Sequence, residues 1–281
     1  MRSPSRQNAK RELWIIKAGS QMVIEGGPRL ISDWMRQACL LNSKFGVDVI
    51  WVTSGAIATA RIAASSNRKI KKYPRGKTPL AEKQALSALG QPMVMEVYKS
   101  ALAKQNRLCS QVLLTSDDLA HKSRRTNLTR TLATLLSWDV MPILNENDAV
   151  STEEIQFGDN DKLSALVARA MGAKRLLLLT DVDGLFDSDP KKNPGAQKIQ
   201  SLSRVSSTLI KTLSGTSTGV GTGGMLSKIL AARLANKASI TTHLVRGSLP
   251  DAILKIAFGA TNDYLNEIPG TTIGDFNRSK V

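Results

Sequence analysis

The chain has 281 residues, 42% of them hydrophobic and 4% aromatic, with 39 Lys and Arg against 23 Asp and Glu for a formal net charge of +16. That is long and apolar enough to bury a sizeable core, as one large α/β domain or two fused lobes. No run of about 18 apolar residues occurs, which excludes a membrane-spanning helix, and MRSPSRQNAKRELW lacks the apolar centre of a secretory signal, so a cytoplasmic protein is expected.

In chain order, ELWIIK at 12–17 predicts a strand that ends on Lys17 in KAGS, and a helix is expected from Pro28 to about Phe45. Cys39 in that helix and Cys109 further on have neither metal-ligand spacing nor a disulfide-rich setting, and their apolar neighbours predict core thiols. DVIWVT at 48–53 is nearly all apolar, as a strand buried on both faces would be, and it breaks at Ser54-Gly55 into another helix. The basic segment RIAASSNRKIKKYPRGK at 61–77, with Pro74 and Gly76, reads as a surface loop. Aromatics are few, and no helix-turn-helix, zinc-finger or RNA-binding signature is present, so the charge argues for a basic surface gathering small anions rather than for a nucleic-acid partner. Residues 80–106 predict one long helix or two, with Pro92 marking a kink or restart. CSQVLLT at 109–115 and MPILNEN at 141–147 are strands, with a helix near 127–137 between them.

AVSTEEIQFGDN at 149–160 reads as a hairpin or extended excursion, followed by an amphipathic helix with Leu163, Leu166, Val167, Ala170 and Met171 on one face. The apolar run at 175–179, stopping at Thr180-Asp181, has the pattern of a central parallel strand. A Gly-rich loop feeds a helix at 225–237, SITTHLV is a further strand, and a last helix is expected at 250–258. Strands alternating with helices predict an α/β fold: an open, mainly parallel sheet sandwiched between helices in three layers.

In such folds ligands bind beyond the carboxyl ends of the strands. Lys17 with Gly19-Ser20, Ser54-Gly55, Asn145 to Asp148, and Thr180-Asp181 all fall there. Each admits two readings. Lys17 is a snorkelling lysine at a sheet edge, or it points its ammonium into the ligand crevice. Ser54-Gly55 is an N-cap, or an anion-receptive helix start. NEND at 145–148 is an Asx-rich turn, or it recognises an ammonium group or a metal. In GDND at 158–161, Asn160 caps a helix beginning at Lys162, or the cluster steadies two phosphate-facing lysines. Asp181 and Asp183 belong to an Asp-Gly turn, or meet ribose hydroxyls and phosphate counter-charges.

SGTSTGVGTGGMLSKIL at 214–230 is a mobile surface loop, or one whose bare N–H groups approach phosphate with Lys228 as point charge. It has neither Walker A spacing nor the dinucleotide fingerprint. His121 and His243 have no neighbours that suggest a triad or zinc site, and both are taken as non-catalytic.

KAGS at 17–20, VTSGAIA at 52–58, QALSALGQPMVMEVY at 84–98, ILNENDAVSTEEIQFGDNDKLSALVA at 143–168, LLLTDVDGLF at 177–186 and GTGGMLSK at 221–228 together resemble the amino acid kinase family over nearly the whole chain. NEND paired with FGDND is similar to the branch that phosphorylates the γ-carboxylate of L-glutamate with ATP, the first step of proline synthesis; the alternatives are a sister kinase acting on another carboxylate or carbamate, or a non-catalytic amino-acid-sensing or RNA-associated protein that keeps the fold. The resemblance implies a single domain over 1–281, with the amino acid held by about 10–170 and ATP by about 171–281. It implies that Ser54, Gly55, Asp148 and Asn160 bind the acid. Thr180, Asp181, Thr222, Gly223, Gly224, Met225, Leu226, Ser227 and Lys228 would bind ATP. Lys17 and Lys228 would flank the migrating phosphoryl group, and Asp161 would organise them. Mg²⁺ would be bound mainly through the phosphates, and the chain would form a homo-oligomer, dimer or tetramer, with no membrane or nucleic-acid partner expected. The chain ends soon after PGTTIGDF, which implies a form without the C-terminal PUA domain of many members. The family usually has a bulkier apolar residue after the first lysine and MATK in place of MLSK, and the basic insert at 68–77 is unusual.

Overall fold

The computed structural model describes residues 11–67, 69–70, 78–150, 159–188, 190, 193–215, 222–261 and 268–275. The N-terminal tail, residues 68 and 71–77 of the basic segment, the excursion at 151–158 and the Gly-rich stretch at 216–221 therefore lie outside the described residues, whereas the first three residues of the basic segment end a helix rather than open a loop. Along the chain run β1 (Glu12–Ala18), α1 (Ser20–Phe45), β2 (Val47–Val52), α2 (Ala56–Ala63), α3 (Leu80–Ala103), β3 (Cys109–Leu114), α4 (Ser116–Ala120), α5 (Lys122–Ser137) and β4 (Met141–Glu146). Next come α6 (Asp159–Met171), β5 (Arg175–Thr180), β6 (Leu185–Phe186), β7 (Lys198–Ile199), β8 (Ser201–Leu202), α7 (Ser207–Gly215), α8 (Thr222–Asn236), β9 (Thr241–Arg246), α9 (Ala252–Thr261) and β10 (Thr271–Ile273). Among the described residues, eight strands form one sheet in the order β3-β4-β2-β1-β5-β9-β10-β8.

Alternation along the strands sorts the core into two layers. Trp14, Ile16 and Ala18 of β1 face α1, α3 and α9, where they pack with Trp34, Met35, Tyr98, Leu102, Ile253 and Ile256. Ile15 faces the other way and joins Leu132 of α5, Leu163 and Val167 of α6, and Ile229 and Ala232 of α8. Both faces being covered explains the unbroken apolar run at 176–179: all six residues of β5 are buried, Arg175 and Thr180 at its ends included. The expected three-layer α/β arrangement is present, and its parallel ladder is broken once, where β10 runs antiparallel to β9.

Several boundaries differ from those the sequence suggests. α1 begins at Ser20, well before Pro28, and Gly27 at φ 53° and ψ −157° interrupts its helical path one residue ahead of the proline. Periodicity marked only the stretch beyond that break. α3 runs through Pro92 as one helix, its buried Leu86, Gly90, Val94 and Tyr98 holding it against α2 and the sheet despite the missing N–H. α4 was not foreseen; a capping box between Thr115 and Asp118 starts it. Cys39 and Cys109 are free thiols at the margin of the core, half-buried rather than inside it. No helix among the described residues is long and apolar enough to cross a membrane.

At the end of the sheet away from the strand C-termini, Arg175 lies 5.6 Å from the centre of the Trp14 ring. Its Nη1 is 3.4 Å from Nε2 of His243, whose Nδ1 is 3.1 Å from Oγ1 of Thr272. Complete burial, then the guanidinium, holds His243 well below the usual imidazole range. Folded His243 stays neutral while the unfolded side chain takes up a proton below about pH 6.5, so the unfolded state binds more protons there and stability falls as pH drops. Melting temperature is therefore expected to decline from pH 7.5 to 5.5, and less steeply in His243→Gln; equal slopes would contradict this.

Candidate active site

β1 is flanked by β2 on one side and β5 on the other, so chain progression leaves it in opposite directions and a crevice opens at its C-terminal end. Lys17 stands at that switch point. Two residues beyond Ile15, it projects into the layer of α6 and α8. Only 5% of its side chain is exposed, so its ammonium must meet a counter-charge rather than water.

Asp161 supplies it. The carboxylate sits in the first turn of α6, where the helix dipole favours a negative charge. Oδ1 lies 2.5 Å from Nζ of Lys17. Oδ2 lies 3.3 Å from Nζ of Lys228 and accepts the hydroxyl of Ser227 at 2.7 Å. Nζ of Lys228 also donates to the carbonyl of Gly224 at 3.1 Å, one turn back along α8. Burial alone would push Asp161 up, but the two ammonium groups and the hydroxyl outweigh it and hold the carboxyl at about 2. For Lys17, burial lowers the ammonium, Asp161 opposes that, and Lys228 adds like-charge repulsion. The depressed carboxyl decides the matter: the pair is ionised at neutral pH. One buried carboxylate thus gathers two cations from α8 and β1, an excess of positive charge at the mouth of the sheet.

On the side of β2, the chain turns through Ser54 and Gly55 into α2, with Gly55 at φ 96°. That φ favours glycine, and a Cβ there would lie 3.3 Å from Val23. Asn160, next to Asp161, shares the two protons of Nδ2 among Ser54 Oγ at 2.7 Å, the Thr53 carbonyl at 3.0 Å and Asn145 Oδ1 at 2.9 Å. It lies inside the first turn of α6 with its amide spent on β2 and β4, so it is not the helix cap that a start at Lys162 would make it. Because Ser54 Oγ accepts from Asn160, its own proton is left to donate elsewhere. Asp148 lies in the turn after β4 and accepts the Ser87 hydroxyl at 2.9 Å.

The residues expected to bind a nucleotide lie on the other side of Lys17. Thr180 closes β5, is buried, and donates its hydroxyl to the exposed Asp181 at 3.1 Å. Asp183 is engaged by Arg246 Nε at 2.8 Å. Thr222 and Gly223 open α8, though their side-chain positions lie outside the described residues. Gly224 is exposed, Met225 packs on the core between α6 and α8, and Leu226 is half-buried. Lys17, Asp161, Ser227 and Lys228 therefore form one cluster, Ser54 and Asn160 a second beside it, and Thr180 with Asp181 a third at the end of β5.

Ser87 and Gln91 on α3 were not foreseen as part of this end of the sheet. Gln91 donates to the Glu146 carbonyl at 3.2 Å and accepts from Asn145 at 3.0 Å. A polar pair four residues apart on a mostly apolar helix was the available signal. Among the described residues no three His, Cys, Asp or Glu side chains gather as a metal site.

Comparison with known proteins agrees with this layout. The model of the amino acid kinase family matches residues 12–246. The chain is 43% identical over 215 residues to a glutamate 5-kinase of Meiothermus ruber, covering 76% of this chain and 55% of that protein. It is 40% identical over 253 residues to a glutamate 5-kinase of Geobacillus kaustophilus, covering 89% of this chain and 66% of that one. It thus spans between 55% and 66% of the length of these curated relatives. Among solved structures, uridylate kinase from Archaeoglobus fulgidus aligns over 94% of this chain and all of its own, with TM-score 0.57 and 20% identity. UMP kinase from Bacillus anthracis aligns over 95% of this chain and 97% of its own, with TM-score 0.59 and 16% identity. These two share the fold. With the family model covering most of its length and its lysines gathered at the strand ends, the chain belongs to the amino acid kinase family.

Proposed function

We propose that the protein transfers the γ-phosphoryl group of ATP to the γ-carboxylate of L-glutamate, giving L-glutamyl 5-phosphate. The observation that carries this reading is the convergence of Lys17 and Lys228 on the buried Asp161, beside Ser54 and Asn160. The glutamate 5-kinase relatives supply the substrate assignment. A carboxylate is ionised at neutral pH and attacks without a general base, which fits a site built of lysines, hydroxyls and carboxamides. The acceptor oxygen bonds to the γ-phosphorus as the bond to the bridging oxygen of ADP breaks, and ADP leaves with the electron pair. Repulsion between the two anions is the obstacle. Lys17 and Lys228 offset it from fixed positions, and Asp161 keeps them from repelling each other apart.

Ser54 and Asn160 would hold the amino acid on the β2 side with Gly55 and Asp148. Thr180, Asp181 and the start of α8 from Thr222 to Lys228 would hold the nucleotide. Asp161 is already occupied by two ammonium groups and a hydroxyl, so Mg²⁺ fits as an ion carried by the triphosphate, where it would neutralise phosphate charge. A homo-oligomer in the cytoplasm is the matching physiological form. ADP release measured with ATP, Mg²⁺ and in turn L-glutamate, L-aspartate and N-acetyl-L-glutamate tests the assignment. Glutamate is expected to be the preferred acceptor by at least an order of magnitude; faster turnover of either other acid would replace it.

A further inference from the structure

Among the described residues Asp161 Oδ2 has two donors, and they are neighbours on α8. Ser227 Oγ lies 2.7 Å from it and Lys228 Nζ 3.3 Å. The same two groups also share the Gly224 carbonyl, which is 3.0 Å from Ser227 Oγ and 3.1 Å from Lys228 Nζ. A serine hydroxyl has one proton, and an ionised carboxylate draws it more strongly than a neutral carbonyl does. Ser227 therefore donates to Asp161, in keeping with the shorter distance, and the Gly224 carbonyl is left to the ammonium.

The two lysines are held unequally. Lys17 sits 2.5 Å from Oδ1 with 5% of its side chain exposed, whereas Lys228 stands 3.3 Å from Oδ2 with 12% exposed. A close bond between an ammonium and a carboxylate spans about 2.7–2.9 Å, so Lys228 is the loosely held partner. Gly224 is exposed and carries no side chain to cover that ammonium; a Cβ there would lie 4.0 Å from Nζ.

Asp161 is fully buried, and Lys17 engages its other oxygen. Were Lys228 the sole donor on Oδ2, turning its ammonium onto a phosphate would strip a buried carboxylate oxygen of its partner, which is costly. With the Ser227 proton in place, Lys228 leaves and Oδ2 stays satisfied.

We infer that Ser227 is a positioning residue, which holds Asp161 Oδ2 so that Lys228 is free to turn onto the γ-phosphoryl group of the bound nucleotide. The inference rests on the proposed function for the nucleotide and not for the acid. Ser227 acts through Lys228, so its contribution is confined to ligands that carry a γ-phosphoryl group.

Titration calorimetry on the full chain, with Mg²⁺ and either ADP or the non-hydrolysable β,γ-imido analogue of ATP, tests this. In Ser227→Ala, affinity for the analogue is expected to fall about 10- to 100-fold, as for one hydrogen bond to a charged group, while ADP stays within about twofold. Ser227→Thr keeps a hydroxyl and is expected to bind the analogue within about threefold of wild type. In a Lys228→Ala background there is no ammonium to release, and adding Ser227→Ala is expected to cost less than about twofold. Equal losses for the two nucleotides, or no loss, overturn the inference, as does a Ser227→Thr protein as weak as Ser227→Ala. A loss of full size without Lys228 also overturns it, because the hydroxyl would then touch the nucleotide directly. The ratio of the two affinities in Ser227→Ala decides even where the double variant is too unstable to titrate. Turnover with L-glutamate on the same samples separates the two readings. The expected binding pattern without glutamate phosphorylation contradicts the proposed function alone; glutamate phosphorylation without that pattern contradicts the role of Ser227 alone. A wild type that binds neither nucleotide overturns both.

Discussion

Lys228→Ala is expected to lower phosphoryl transfer by about 10²- to 10³-fold, the range for losing one preorganised group that stabilises developing charge. The loss should appear in kcat, with the KM for glutamate little altered, because Lys228 comes from α8 whereas the proposed acid pocket is built by Ser54 and Asn160. The fold should survive: Asp161 retains Lys17 and Ser227, and the Lys228 side chain is 12% exposed rather than sealed in. Steady-state ADP production beside a melting curve reads both quantities. A rate near wild type would remove Lys228 from the chemistry, and a collapse in melting temperature would make its role structural.

Asp161→Asn is expected to cost both rate and stability. Without the carboxylate, Lys17 is left with a buried, uncompensated charge next to a second ammonium, and breaking such a pair costs about 3–5 kcal/mol when the remaining charge cannot escape. Lys17 can shed its proton, which places the loss toward the lower end and removes one of the two cations proposed to face the phosphoryl group. The sign with pH is fixed by the carboxyl. Its folded value of about 2 lies below the unfolded value of about 3.9, so its stabilisation is complete above pH 4 and disappears as pH falls through 2. At 1.36 kcal/mol per pH unit of difference this share is roughly 2 to 3 kcal/mol. The stability gap between wild type and Asp161→Asn, measured by denaturant unfolding, should therefore be wide at pH 7 and narrower at pH 3. A gap of the same size at both would mean that Asp161 is not held ionised by its lysines.

The layered fold was readable because both its periods are local. Alternation in β1 sends Ile15 and Lys17 to one face, and the helical pattern of α6 puts Leu163 and Val167 on the side that meets them. The polar clusters at the strand ends were legible for the same reason, since a parallel sheet brings the C-termini of β1, β2, β4 and β5 to one edge. What local pattern could not supply was pairing at long range. Gln91 looks like an ordinary polar residue on a helix until α3 is laid against Asn145, 54 residues further along. Asn160 looks like a helix cap until its amide is seen to reach Ser54, 106 residues back. The short β6, β7, β8 and β10 carry two or three residues each, too few to show alternation. The start of α1 was hidden by Gly26-Gly27-Pro28, which reads as a turn but is only a break within a longer helical path.

The central claim is that a carboxylate oxygen of glutamate attacks phosphorus between two lysines, and isotope transfer tests it most directly. The protein would be incubated with ATP, Mg²⁺ and glutamate labelled with ¹⁸O in its γ-carboxylate, then with hydroxylamine, which cleaves acyl phosphates at the carbonyl carbon. The expected products are γ-glutamyl hydroxamate and inorganic phosphate carrying one ¹⁸O, both lost in Lys228→Ala. ADP formed without hydroxamate, or phosphate free of the label, would contradict it.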